Sequence, residues 1–228
     1  MSYLICTFGP DVADRADFDF VSRDAPAGPA WALRAVVEQM AAVALLILLL
    51  PFFVAITLAI RIETPGPALF RQPRFGRDRR SFEVLKFRTM CREGCDRSGA
   101  GQTADRDPRI TRVGTFLRRS SLDELPQLIN VIRGEMSLVG PRAHPCGMEV
   151  CGRLCDEVDP RYHARHVVRP GITGWAQING SRGAVKSPEA LRHRVDLDLD
   201  YVARWSPLLD LWILVRTLAV AIHPDAGG

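Results

Sequence analysis

The sequence predicts an α+β fold, mainly helical, in which a membrane helix that turns back on itself is followed by a small soluble domain carrying surface amphipathic helices. Three observations carry this. The run "QMAAVALLILLLPFFVAITLAI", Gln39 to Ile60, holds 22 residues without a charge and has a proline near its middle. The segment "SFEVLKFRTM" alternates apolar and polar positions like a short buried strand. Leu125, Leu128, Ile129 and Ile132 fall at i, i+3, i+4 and i+7, which gives one apolar helical face.

Residues 1–30 mix Asp, Pro, Gly and Ala without helical or strand period, and no basic stretch leads directly into an apolar run. They read as a mobile tail rather than a signal peptide. Residues 31–62 form the membrane segment. Its uncharged run has enough rise to cross a bilayer as a helix, but two features favour a re-entrant path. Arg34 precedes the run and the strongest basic cluster follows it, so the positive-inside rule draws both ends to the cytoplasmic face. Pro51 removes its own N–H and clashes with the carbonyl of Ile47, so the helix should break there.

Residues 63–222 form the soluble domain and 223–228 a short tail. "TPGPALFRQPRFG" is turn-rich, the predicted strand follows, and Arg92 to Arg109 is polar and rich in Gly and Asp, a loop. Val113 to Arg119 resumes helical character and leads into "SLDELPQLINVIRGEMSLVGPRA". Here two readings conflict. Ser121 and Glu124 fit a capping box that starts a helix at Leu122, whereas Pro126 suits the first helical position and would push Leu125 out of the helical region. In either case Asp123 and Glu124 lie at a helix N-terminus, whose dipole favours ionised carboxylates. Such a carboxylate can be a nucleophile or a magnesium ligand. "RPGITGWAQINGSRG", Arg169 to Gly183, is too rich in Gly and Pro for regular structure and suits a ligand-facing loop. "DLWILVRTLAVAI", Asp210 to Ile222, is a helix too short to span, suited to the membrane surface or the core.

The net charge is only +4, yet Arg61 to Arg92 holds nine basic residues against three acidic ones. This favours an anionic partner. No recognised nucleic-acid module accompanies the cluster, and its place directly after an apolar run is better explained by anionic lipid. The six cysteines, among them Cys91 and Cys95, then Cys146, Cys151 and Cys155, do not have the spacing of a zinc ribbon or finger. They read as free thiols in a reducing cytosol.

Four ordered motifs, "KFRTM" (Lys86 to Met90), "DPRITRVGTFLRRSSLDELPQLINVIRGEMSLVGPR" (Asp107 to Arg142), "RPGITGWAQING" (Arg169 to Gly180) and "DLDYVARWSPLLDLWILVRTL" (Asp198 to Leu218), resemble the bacterial sugar transferases. These are monotopic phosphoglycosyl transferases that start exopolysaccharide or glycan assembly. The resemblance covers about Trp31 to Ile222 and implies a short form, essentially the catalytic unit, at the cytoplasmic face of the bacterial inner membrane. It implies transfer of a sugar-1-phosphate from a UDP-sugar to polyprenol (undecaprenyl) phosphate with release of UMP. By the same resemblance Asp123 is the nucleophile, Glu124 is associated with Mg2+, and Lys86, Arg88, Arg118, Arg142, Arg169, Arg182 and Asp198 lie near the substrates. Partners implied are the UDP-sugar, the polyprenol phosphate and membrane lipids; dimers occur in the family, and nucleic acid is not expected. The "INGSRG" run is similar to members that transfer glucose-1-phosphate, which points to glucose or galactose. The competing class is a membrane-anchored scaffold of the same fold, and its mark would be loss of Asp123 or Glu124, both of which are present. Where the family commonly has Pro-Arg-Pro this chain reads Pro141, Arg142, Ala143. Leu50 stands where a serine usually precedes the proline of the membrane helix, and Asp200 where a tyrosine is frequent.

Overall fold

The structure, a computed structural model, describes residues 28–91 and 107–222. The expected tails, apart from residues 28–30, and most of the Arg92 to Arg109 loop lie outside these residues. The chain opens with helix α1 (Pro29–Leu48) and helix α2 (Leu50–Glu63), separated at Leu49. The amide of Leu49 still donates to Leu45 O at 2.9 Å, and that of Phe53 to Leu49 O at 3.0 Å. Pro51 has no amide for the Ile47 carbonyl between them, so the break falls two residues ahead of the proline. The uncharged run is thus divided between two helices, and α1 begins ten residues earlier than that run. Among the described residues α1 is the one helix long and apolar enough to cross a membrane.

Strand β1 (Leu69–Phe75) and strand β2 (Ser81–Phe87) form an antiparallel hairpin, in register from Leu69 opposite Phe87 to Phe75 opposite Ser81. β2 is the strand that the alternation predicts. β1 lies in the stretch read as turn-rich, because its prolines mask it. Pro73 costs no ladder bond when the sheet has only two strands and its nitrogen faces outward. Helix α3 (Arg112–Arg119) is capped by Thr111, whose hydroxyl accepts from the Gly114 amide at 2.9 Å. Gly114 lets α3 lie directly on the chain at Thr89, since a Cβ there would come within 2.1 Å of Thr89 O.

A single 3-10 turn (Leu122–Glu124) and helix α4 (Gln127–Ile132) follow. Neither sequence reading of this junction holds in full. Ser121 adopts φ 55°, in the left-handed region, and caps nothing with its side chain, so there is no capping box. Leu125 keeps helical angles (φ −52°, ψ −38°) despite the proline after it. The carboxylates therefore sit in the turn ahead of α4.

Strand β3 (Ser137–Val139) pairs in parallel with strand β6 (Gly171–Thr173). Between them lie the small hairpin of strands β4 (Glu149–Val150) and β5 (Arg153–Leu154), helix α5 (Cys155–Val158) and a 3-10 stretch (Pro160–Val167). Helices α6 (Trp175–Ile178), α7 (Pro188–Arg204) and α8 (Pro207–Ile222) complete the domain. The segment read as irregular loop thus contains β6 and α6. Its glycines serve close packing: a Cβ on Gly171 would lie 2.1 Å from Gly140 N, and one on Gly174 2.1 Å from Gly140 O.

Two apolar clusters tie the membrane helices to the domain. Ala42 of α1 packs with Val84, Leu128, Val131 and Met136, and Ile60 of α2 with Phe87 and Leu117. α8 buries Ile213 in the core, one of its two expected settings, while Leu208, Leu211, Trp212, Val215 and Leu218 stay exposed.

Candidate active site

The 3-10 turn presents Asp123 and Glu124 to the end of β2, where Lys86 projects, and to the loop after β3, which carries Arg142. Lys86 Nζ donates to Glu124 Oε1 at 2.7 Å and lies 3.9 Å from Asp123 Oδ2. Arg142 grips Glu124 with both terminal nitrogens, Nη1 to Oε2 at 3.1 Å and Nη2 to Oε1 at 2.5 Å. Such a fork joins two planar groups at fixed orientation, which a lysine could not do.

The two carboxylates are therefore inequivalent. Burial pushes Glu124 up, but Arg142 and Lys86 outweigh it and hold this carboxyl well below the ordinary range. In turn Glu124 raises the pKa of Arg142. Burial raises Asp123, Lys86 opposes it, and the neighbouring Glu124 charge adds to the rise. Burial lowers Lys86, with Glu124 opposing. Among the described residues Asp123 receives no hydrogen bond on its carboxylate. Its carboxylate oxygens are thus less engaged than those of Glu124, which accept from both Lys86 and Arg142.

The other sequence-predicted residues are distributed differently. Arg118 donates from Nε to Thr89 Oγ1 at 2.9 Å, and after Lys86 and Arg142 its charge also opposes the burial-driven rise at Asp123. Arg88 is buried and directs its terminal nitrogens to Pro65 O at 2.6 Å and Thr64 O at 2.7 Å, fixing the end of α2 to β2. Asp198 is buried against Arg165, 2.7 Å away. Arg182 donates to Gln177 O at 2.9 Å. Arg169 lines a cavity of about 340 Å³ at the head of α1, together with Trp31 and Arg77.

Two residues that the sequence did not single out stand directly behind Arg142. Arg165 Nη2 donates to Arg142 O at 2.7 Å, and Arg74 Nη1 donates to the adjacent Ala143 O. Burial, and then the nearby Arg142 charge, pull the Arg74 pKa down to about 10.

As for metals, no group of three or more His, Cys, Asp or Glu side chains suited to an ion occurs among the described residues. The four described cysteines, Cys91, Cys146, Cys151 and Cys155, form no disulfide. A paired carboxylate open on one side nonetheless fits magnesium, which is usually held by one or two carboxylates together with substrate phosphates.

The family model for bacterial sugar transferases matches residues 30–224. The chain belongs to the bacterial sugar transferase family. It is 46% identical over 182 residues to an exopolysaccharide production protein of Rhizobium leguminosarum bv. phaseoli, covering 80% of this chain and 91% of that protein. It is 51% identical over 181 residues to an undecaprenyl-phosphate glucose phosphotransferase of Komagataeibacter xylinus, covering 79% of this chain but only 34% of that protein. A UDP-glucose:undecaprenyl-phosphate glucose-1-phosphate transferase of Caulobacter vibrioides is 45% identical over 193 residues, 83% of this chain and 70% of its own length. The family and its relatives make this chain an enzyme, a phosphoglycosyl transferase, and associate it with a membrane.

Proposed function

We propose that the protein transfers glucose-1-phosphate from UDP-glucose to undecaprenyl phosphate through a covalent intermediate on Asp123. The observation that carries this reading is the inequivalence of the two carboxylates, one free to attack and one neutralised by a lysine and an arginine. An Asp123 oxygen attacks the sugar-linked phosphorus, the bond to the UMP oxygen breaks, and UMP leaves with the electron pair. A phosphate oxygen of the lipid acceptor then attacks the same phosphorus and releases the Asp123 carboxylate. Such a transfer depends on positioning and charge neutralisation more than on proton transfer. Lys86 and Arg142 supply fixed positive charge beside the reacting diphosphate, and their partial burial strengthens it. Glu124 would hold magnesium with the substrate oxygens, and the ion when bound supplies further neutralisation of the diphosphate.

The Ile178 to Gly183 run leaves glucose and galactose open, and the names of the relatives favour glucose. The membrane helices form a re-entrant unit at the inner membrane, with the domain on the cytoplasmic face where nucleotide sugars occur. To test the function, detergent-solubilised protein is incubated with magnesium, undecaprenyl phosphate and single UDP-sugars, including UDP-glucose, UDP-galactose and UDP-N-acetylgalactosamine. UMP release with UDP-glucose is expected. Release with another sugar alone would reassign the donor, and release with none would favour the silent scaffold.

A further inference from the structure

Four consecutive carbonyls run through Arg142, and their hydrogen-bond donors come from three parts of the fold: β6, the 3-10 stretch and β1. Pro141 O takes the Gly171 amide at 2.9 Å, Arg142 O takes Arg165 Nη2 at 2.7 Å, Ala143 O takes Arg74 Nη1, and His144 O takes the Phe75 amide at 3.1 Å. Two of the four donors are arginine side chains, which is unusual for a segment that could have been held by sheet pairing alone. Arg165 is in turn fixed from behind: Nε donates to Asp198 Oδ2 at 2.8 Å, both side chains are 1–2% exposed, and the guanidinium lies over the Tyr162 ring at 5.3 Å. Arg74 is fixed by Gln72 Oε1, at 3.2 Å from Nε and 2.8 Å from Nη2.

An isolated buried ion pair gives little net stability, because desolvation offsets the attraction. Here the pair has a further effect, since the fork of Arg165 bridges a carboxylate on α7 and the backbone of the residue that holds Glu124. Residue 143 is alanine, so no proline ring restricts the backbone after Arg142, and the segment is held by donors instead.

We propose that Arg165, held by Asp198, and Arg74 are positioning residues: they fix the backbone at Arg142 and Ala143 so that the Arg142 fork meets Glu124, without themselves touching substrate. This rests on the reaction proposed above and gives Asp198 a role behind the site rather than in it. The chain of contacts runs Asp198, Arg165, Arg142 backbone, Arg142 guanidinium, Glu124, Lys86. A displacement of even about 1 Å at its far end costs on the order of 100-fold in rate.

The test replaces both charges of the buried pair together, Arg165→Met with Asp198→Leu, so that no unpaired buried charge is left to unfold the domain. A second variant, Arg165→Lys, keeps the ion pair but cannot reach both the carboxylate and the Arg142 carbonyl. Turnover should fall on the order of 100-fold in each, with the KM for the nucleotide sugar moved by less than about threefold. In an Arg142→Ala background the same changes should cost no more than about twofold further, because their route to Glu124 is already cut. A KM that rises in step with the loss, or losses that multiply in the Arg142→Ala background, overturns the proposal. Hydrogen exchange gives a readout that needs no activity. Peptides covering residues 121–128 and 137–148 should exchange faster in both variants, while α1 is unchanged. A wild-type enzyme inactive with every donor refutes the proposed reaction, and unchanged exchange at residues 121–128 refutes the positioning role separately.

Discussion

At the residue scale the chemistry reduces to why two adjacent carboxylates behave differently. Glu124 is largely engaged by Lys86 and the Arg142 fork, with Oε2 accepting only once, whereas Asp123 accepts no hydrogen bond among the described residues and has a pKa raised first by burial. Asp123→Asn preserves shape and removes the charge of the proposed nucleophile, so UMP release should vanish and intact-mass measurement should find no phosphosugar adduct. An adduct on the Asn variant would move the nucleophile elsewhere. Chelation should likewise stop UMP release, with activity restored by added magnesium; full turnover in excess chelator contradicts a cation beside Glu124. The carboxylates, Lys86 and Arg142 were all legible in the sequence, because their types and order match a known family. Arg74 and Arg165 were not. Each looks like an ordinary surface charge until the fold turns it inward, and no periodicity in "FRQPRF" or "YHARHVV" marks the inward ones. The basic run from Arg61 to Arg92 is instructive for the same reason. Read as a lipid-facing cluster, it sends Arg74, Lys86 and Arg88 into the protein, to Ala143 O, Glu124 and the end of α2.

At the element scale, what the sequence hid was strand structure carried by proline and glycine. β1 contains Pro73 and follows Pro65 and Pro67, and β6 begins at a glycine, so both read as irregular chain, although each pairs in full with a neighbour. Gly114 tests the same logic on a helix. Gly114→Ala drives a methyl into Thr89 O and should lower stability by about 1–3 kcal/mol, the usual cost of overpacking, as read by thermal unfolding. A neutral effect would mean that α3 can move off the Thr89 backbone freely. The 3-10 stretch and the loop before it give a pH prediction. His144 and His166 are buried against Tyr162, and burial first, then the Arg165 charge, hold both pKa values well below the usual histidine value. The unfolded chain takes up these protons at about pH 6.5, before the folded one does. Their stabilising contribution is therefore complete above that pH and is lost as pH falls toward the depressed folded values. The melting temperature should drop on acidification from about pH 6.5, and less steeply in His166→Phe, which keeps the ring packing without the titration. An unchanged slope in that variant would assign the acid sensitivity to other groups.

At the scale of the whole molecule, both ends of the broken membrane helix rest on the same domain. Near the start of α1, Arg34 is 2.9 Å from Asp210, donates to Val139 O at 2.6 Å and Tyr201 Oη at 3.0 Å, and lies 4.6 Å from the Trp31 ring. At the end of α2, the Glu63 carboxylate accepts from the amides of Arg112 at 2.7 Å and Val113 at 3.0 Å, capping α3. Between these anchors Ile47, Leu48, Leu50 and Phe52 are 56–70% exposed around the break at Leu49. A straight helix over this span would extend about 45 Å and carry its far end away from the domain. In the proposed re-entrant arrangement, the exposed apolar residues around Leu49 enter lipid and the residues flanking α1 and α2 stay on one face. Cysteine labels placed singly at Ser22 and Asp78, in a background without native cysteines, should therefore both resist a membrane-impermeant reagent in intact cells and both react once the membrane is opened. Pro51→Ala restores the amide that the Ile47 carbonyl lacks and should let a fraction of molecules span, exposing the Ser22 label from outside. The anchors oppose that change, so Asp210→Asn combined with Pro51→Ala should enlarge the exposed fraction. Reaction at Ser22 in otherwise unaltered protein would make the segment a bitopic anchor. The assignment of Asp123 would stand in that case, but the docking of Arg34 on Asp210 could not hold in the membrane.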